Sequence, residues 1–354
     1  MLNTWPENQD MLNPTQTREH SRRRGCLGIL WRGLAIVAVL IGVLAVAGYS
    51  YEHYASARDR QLYPPLGKLV EVEHHKLHLY CLGAGSPTVI LEAPATSSAF
   101  DWGFVQPELA KSTRVCAYDR AGFGWSELGP GPRTAGQAAR ELHELLTAAE
   151  EPGPYVLVGA SYGGHIVRLF ARNYPDEVNG MVLVDARPEK LFSIPSLRQQ
   201  AESGLGLLRV IAALGDFGLA RPFIAFMPEK MIPAGAVPYY NAHPGSYAIV
   251  FQAKFLHADY AEALAMNVSD EEVAAVTSLG ALPLIVIRHG QPMFGSLPPA
   301  EAETMEQQWQ AFQEAIAAQS TSSQMVVAET SGHLVQMEAP AIIVEAVQRL
   351  SAKP

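Results

Sequence analysis

The 354-residue chain is 48% hydrophobic and only 17% charged, which supplies a large core and excludes a disordered polymer. A formal charge of -9 argues against a nucleic-acid partner, because affinity for phosphate backbones comes from clustered Lys and Arg. The three cysteines, Cys26, Cys81 and Cys116, have neither C-x-x-C pairing nor a histidine at zinc-site spacing, so no metal site is expected.

Residues 1–26 form a basic tail whose run of like charge is Arg22, Arg23 and Arg24. Residues 27–50 are almost entirely apolar, broken only by Arg32, and approach the length a bilayer needs. The basic residues precede or enter this segment, whereas Arg58 and Arg60 beyond it are offset by Glu52 and Asp59. The positive-inside rule therefore makes it a transmembrane signal anchor with a cytoplasmic N-terminus and everything after Tyr49 outside, periplasmic or extracellular. A cleaved signal peptide competes, with Ala45-Val46-Ala47 as its cleavage motif, although the leader before the apolar run is long for one. Residues 51–67 are polar, end in Pro64-Pro65, and read as a spacer.

Alternating apolar residues from Leu69 to Cys81 predict a hairpin around His74 and His75. Strand-like runs at Thr88–Leu91, Arg114–Tyr118, Tyr155–Val158, Met181–Val184, Leu284–Ile287 and Met325–Ala328 then alternate with helical patterns, such as Ala138, Leu142, Leu145 and Leu146. That rhythm predicts an α/β fold with a parallel sheet covered by helices on both faces. Residues 187–282 break it and are too long for a connection, so they read as an inserted helical cap. The core is then 68–186 and 283–354. Within the cap, Leu205 to Phe226 is apolar enough for either an acyl pocket or the cap's own core.

The strand Val156-Leu157-Val158 runs into Gly159-Ala160-Ser161-Tyr162-Gly163 and then into a helical pattern. This is a G-x-S-x-G nucleophile elbow in its strand-turn-helix context, whose glycines permit a turn too tight for side chains. A serine hydroxyl needs a base, and the base needs a group that fixes its tautomer. His333, between the last strand and the last helix, is the candidate base, with His289 as rival. No Asp occurs between Asp270 and His333, so the acid is assigned to Asp185 at the end of Met181–Val184, with Glu301 as the alternative. Two backbone N–H donors for an oxyanion are expected at Tyr162 and at Ala95, in the loop after Thr88–Leu91.

Leu91-Glu92-Ala93-Pro94, the run Tyr118-Asp119-Arg120-Ala121-Gly122-Phe123-Gly124-Trp125-Ser126, the Ser161 elbow and Ser331-Gly332-His333 together resemble the bacterial α/β-hydrolase superfamily. The likeness runs from about Gly67 to the C-terminus and extends to members with an N-terminal membrane segment. It implies a mostly parallel eight-stranded sheet, a variable cap after strand six, and a triad of Ser161, Asp185 or Glu301, and His333. Two departures stand out: Pro94 lies where the family usually has Gly, and the acid after strand seven is missing. The resemblance implies a structural role for Asp119. It also makes the strands of Cys81 and Cys116 neighbours, so a disulfide and two small buried side chains both fit there.

The activity so implied is hydrolysis of a small carboxylic ester through an acyl-enzyme on Ser161, with no cofactor. A peptidase or amidase would use the same triad, and a catalytically silent, membrane-anchored binding protein would keep the elbow for folding alone. Oligomeric state is not legible in the sequence.

Overall fold

The computed structural model describes residues 14–222, 237–243, 245–250, 252–295 and 297–351. The strands are β1 (Lys68–Val72), β2 (His75–Leu82), β3 (Thr88–Glu92), β4 (Val115–Tyr118), β5 (Tyr155–Ala160), β6 (Val178–Val184), β7 (Leu284–His289) and β8 (Ser323–Ala328). They form one eight-stranded sheet in the order β1-β2-β4-β3-β5-β6-β7-β8. β1, β2 and β4 pair antiparallel, and the remaining ladders are parallel. Every residue of β3, β4 and β5 is buried, as a strand covered on both faces must be, which explains their continuous apolar runs.

The N-terminal helix is α1 (Pro14–Leu62), and the helices on the sheet include α2 (Gln106–Leu109), α3 (Ala135–Ala148) and α4 (Gly163–Asn173). α3 starts at Thr134, whose side chain accepts from Gln137 N–H and satisfies one of the orphan donors of the first turn. Its buried Ala138, Leu142, Leu145 and Leu146 join α4 in covering one sheet face. The other face is covered by α2 and by the last helix, through Leu109, Ile343 and Val347.

An insertion follows β6. Its helices are α5 (Pro195–Gly215), α6 (Val237–Ala242), α7 (Gly245–Val250) and α8 (Ala253–Ala274). After it come α9 (Pro299–Ala317), α10 (Val335–Glu338) and α11 (Pro340–Ser351).

Two expectations change. Residues 51–62 are not a separate spacer but the continuation of α1. Glu52, Ser56 and Asp59 share one side of that helix and all accept from Arg221 of the insertion. Their polarity reflects a distant partner rather than solvent. From Leu30 onward α1 is long and apolar enough to cross a membrane, and its most apolar stretch is bare of other protein. The apolar run Leu205–Phe226 is not cap core throughout: Leu207, Val210, Leu214, Phe217 and Leu219 are exposed, while 223–226 lie outside the described residues.

Candidate active site

The turn from β5 into α4 is built around Ser161, which takes a positive φ of 49°. A β-carbon on Gly159 would lie 2.6 Å from Gly163 O, and one on Gly163 would lie 2.6 Å from Glu92 O, so both positions require glycine. Ser161 N–H donates to Val184 O, and Arg187 and Gly164 N–H donate to Ser161 O. These bonds hold the strained residue at the C-terminal edge of the sheet. The Ser161 side chain is partly exposed and can be reached by a substrate.

Ser161 Oγ lies 3.0 Å from His333 Nε2, and His333 Nδ1 lies 2.6 Å from Asp185 Oδ2. Three side chains, from the ends of β5 and β6 and from the loop before α10, thus meet in the order Ser161, His333, Asp185. Asp185 also has a positive φ, 42°, and its N–H donates to Ile287 O on the neighbouring strand. Its carboxylate accepts further from Trp309 Nε1 at 2.9 Å and from the N–H of His289 at 3.2 Å. Burial pushes the Asp185 carboxyl up, but the hydrogen bonds from His289 and His333 outweigh it and hold the group down at about 2. Asp185 is therefore an anion at any pH where a histidine base works.

His289, the rival base, has both ring nitrogens engaged: Nδ1 with Asp185 Oδ2 at 2.8 Å and Nε2 with Glu306 Oε2 at 2.8 Å. Burial opposes its cationic form, but the two carboxylates prevail and raise its pKa. Glu301, the alternative acid, is exposed in the first turn of α9, and the structure joins it to none of the three residues. The helix instead contributes Trp309 and Glu306, neither of which was marked in the sequence; a Trp on an amphipathic helix carries no signal that its indole faces a carboxylate.

Tyr162 and Ala95 lie on the two segments expected to supply an oxyanion hole, and neither N–H has a protein acceptor among the described residues. The loop carrying Ala95 is gripped by Arg120, which donates from Nη1 to Ala93 O at 2.9 Å and from Nη2 to Pro94 O at 2.8 Å. Pro94 brings no N–H to this loop, whereas that of Ala95 is kept. Arg120 is itself buried between Glu92 and Glu262, and Glu92 also accepts from Tyr118. Burial raises the Glu92 carboxyl to about 7, against the pull of Arg120 and Tyr118. The second carboxylate, Glu262, adds to that rise by like-charge repulsion. Arg120 stands two residues after buried strand β4, and a charge that close to a buried strand was the available signal for it.

Elsewhere, Asp119 is a bracket, accepting from His78 Nδ1 and from the N–H groups of Ala99 and Trp125. Cys81 and Cys116 are register partners on β2 and β4 with their sulfurs bonded.

Residues 81–346 match the family model described as the alpha/beta hydrolase family. The chain belongs to the alpha/beta hydrolase family. This family member is 26% identical to the protein YqjL of Bacillus subtilis over 74% of its own length and 82% of YqjL. It is 35% identical to 2-hydroxymuconate semialdehyde hydrolase of a Pseudomonas species, over 34% of its own length and 44% of that enzyme. Among solved structures it is similar to an esterase of Thermogutta terrifontis, with a TM-score of 0.56 and 23% identity over 80% of this chain and 99% of that one. It is also similar to an esterase of Exiguobacterium antarcticum, with a TM-score of 0.59 and 15% identity over 81% of this chain and 100% of that one. At these identities the solved structures speak for the fold of the hydrolase core.

Proposed function

We propose that this member of the family is a serine hydrolase of small carboxylic esters, held in a membrane by α1 with its catalytic domain outside. The carrying observation is the continuous contact Ser161 Oγ, His333 Nε2, His333 Nδ1, Asp185 Oδ2. Ser161 attacks the ester carbonyl while His333 takes its proton at Nε2, and the Asp185 anion steadies the imidazolium that forms. The tetrahedral oxyanion is met by the N–H groups of Tyr162 and Ala95. His333 then protonates the departing alcohol, and water, activated by the same nitrogen, releases the acid. No step asks for a cofactor. Epoxide hydrolases share this fold, but a serine elbow supports acyl transfer. An ester is favoured over an amide because its alcohol leaves with less help from the general acid.

Active-site labelling tests the reading. A fluorophosphonate probe is expected to label the full chain and to lose at least 90% of that labelling in Ser161→Ala, roughly the scale set by removing a nucleophile. A correctly folded wild type that takes no label would instead indicate a silent binding protein.

A further inference from the structure

Helix α5 carries an apolar stripe that nothing among the described residues covers. Leu207, Val210 and Leu214 recur at helical spacing on α5, Phe217 and Leu219 continue the row in the turn just beyond its end, and all five are between 37 and 63% exposed. The opposite side of the helix is the one that packs: Ala212 and Gly215 are buried, and a β-carbon on Gly215 would meet Leu256 of α8 at 2.7 Å. Singly scattered exposed apolar residues need no explanation, whereas a continuous row along one helix does.

The position of the stripe says what covers it. A β-carbon on Gly48 of α1 would lie 2.7 Å from Phe217 O, and one on Gly218 would lie 2.7 Å from Tyr51 Cδ1. The end of the stripe therefore touches α1 where its apolar run stops. At that same level α1 exposes Tyr49, Tyr51 and Tyr54, and tyrosine is the residue type that concentrates at the boundary between lipid and water. Arg221 fastens the two helices through Glu52, Ser56 and Asp59, and Ala253 N–H at the start of α8 donates to Glu52 as well.

We infer that the exposed face of α5 lies in the headgroup layer of the same membrane that α1 crosses, so that the cap is a second membrane contact formed by an interfacial helix. The inference rests on the anchor reading of α1. It fits a bilayer because the row ends against the spanning helix at the level where its apolar run stops, whereas a protein partner would have to avoid that helix.

Depth-resolved fluorescence tests it on the full chain reconstituted in vesicles of phosphatidylcholine and phosphatidylglycerol. In a Cys26→Ser background, which must itself take no label, a single fluorophore is attached at Leu207→Cys, Leu214→Cys, Tyr49→Cys as the reference on α1, or Glu345→Cys on the opposite helical layer. Retained fluorophosphonate labelling shows that each variant is folded. Acyl-chain nitroxide lipids are expected to quench positions 207 and 214 at least about half as strongly as position 49, the depth of an interfacial helix, and to leave 345 unchanged. Quenching at 49 with none at 207 and 214 would overturn the inference and leave the anchor standing; disulfide-linked dimers of Leu207→Cys would then identify a second copy as the cover. Absence of quenching at 49 would remove the anchor and the inference together.

Discussion

His289 and His333 share one acceptor: the Nδ1 atoms of both lie against Oδ2 of Asp185, at 2.8 and 2.6 Å. A carboxylate held by two imidazoles, an indole and a backbone N–H has little freedom to rotate, so it presents one fixed oxygen to the base. Asp185→Asn should fold, because asparagine fits the same space, but should lower kcat by about 10³–10⁴-fold as the imidazolium loses its anion. Glu301→Gln should leave turnover within about twofold, since exposed substitutions away from a site change little. Steady-state kinetics on a p-nitrophenyl ester compare the two, and the reverse ranking would hand the acid role to Glu301.

His289 adds a pH signature. Its folded pKa is raised, so its contribution to stability is fully present below the unfolded value of about 6.5 and is lost as the pH rises through the folded value. His289→Gln should therefore cost most stability near pH 6, and the gap to the wild type should narrow at alkaline pH. Urea unfolding of both proteins across that range reads the effect; a gap that widens with pH would contradict it.

Arg120 is expected to separate kcat from KM. Arg120→Lys keeps a cation between Glu92 and Glu262 but cannot hold Ala93 O and Pro94 O at once with a planar fork. An oxyanion hole matters in the transition state, so kcat should fall about 10–100-fold with KM nearly unchanged. Arg120→Met, which leaves two buried carboxylates without their cation, should destabilise the fold by about 3–5 kcal/mol. Equal losses in kcat and 1/KM for the lysine variant would mean that Arg120 does not act through the loop.

The bond between Cys81 and Cys116 closes a loop with a sequence separation of 35. Reduction should lower stability by about 3–4 kcal/mol in the chain-entropy estimate. Protein taken from its native compartment should yield the linked peptide pair in a non-reduced digest. Free, alkylatable thiols at both positions would point to a reducing location and against the outside topology.

The candidate nucleophile and base could be named from the sequence because their signals are local: glycines two residues either side of Ser161, and a histidine between a strand and a helix. Asp185 was legible by a rule about strand ends rather than by a motif. Trp309 and Glu306 were not, because their relation to Asp185 and His289 exists only once α9 is laid against the sheet edge. The polar stretch 51–62 reads as a spacer in the sequence for a related reason. Its acidic residues answer Arg221, more than 160 positions away, and a helix whose polar side is matched by another element looks in sequence like one meant for water.

The insertion is wired into the core by polar bonds as well as apolar packing. Glu262 completes Arg120, Glu272 accepts from Gly136 N–H at the start of α3, Asp270 meets His165 and Arg187, and Lys254 donates to the carbonyls of Gly124 and Ser126. A chimera that grafts another hydrolase's cap between β6 and β7 would thus inherit buried groups whose partners left with the original, each costing about 1–3 kcal/mol and more where charged. Exchange of substrate range by swapping this segment requires transplanting its contact residues too, so cap and core must diversify together rather than as interchangeable parts.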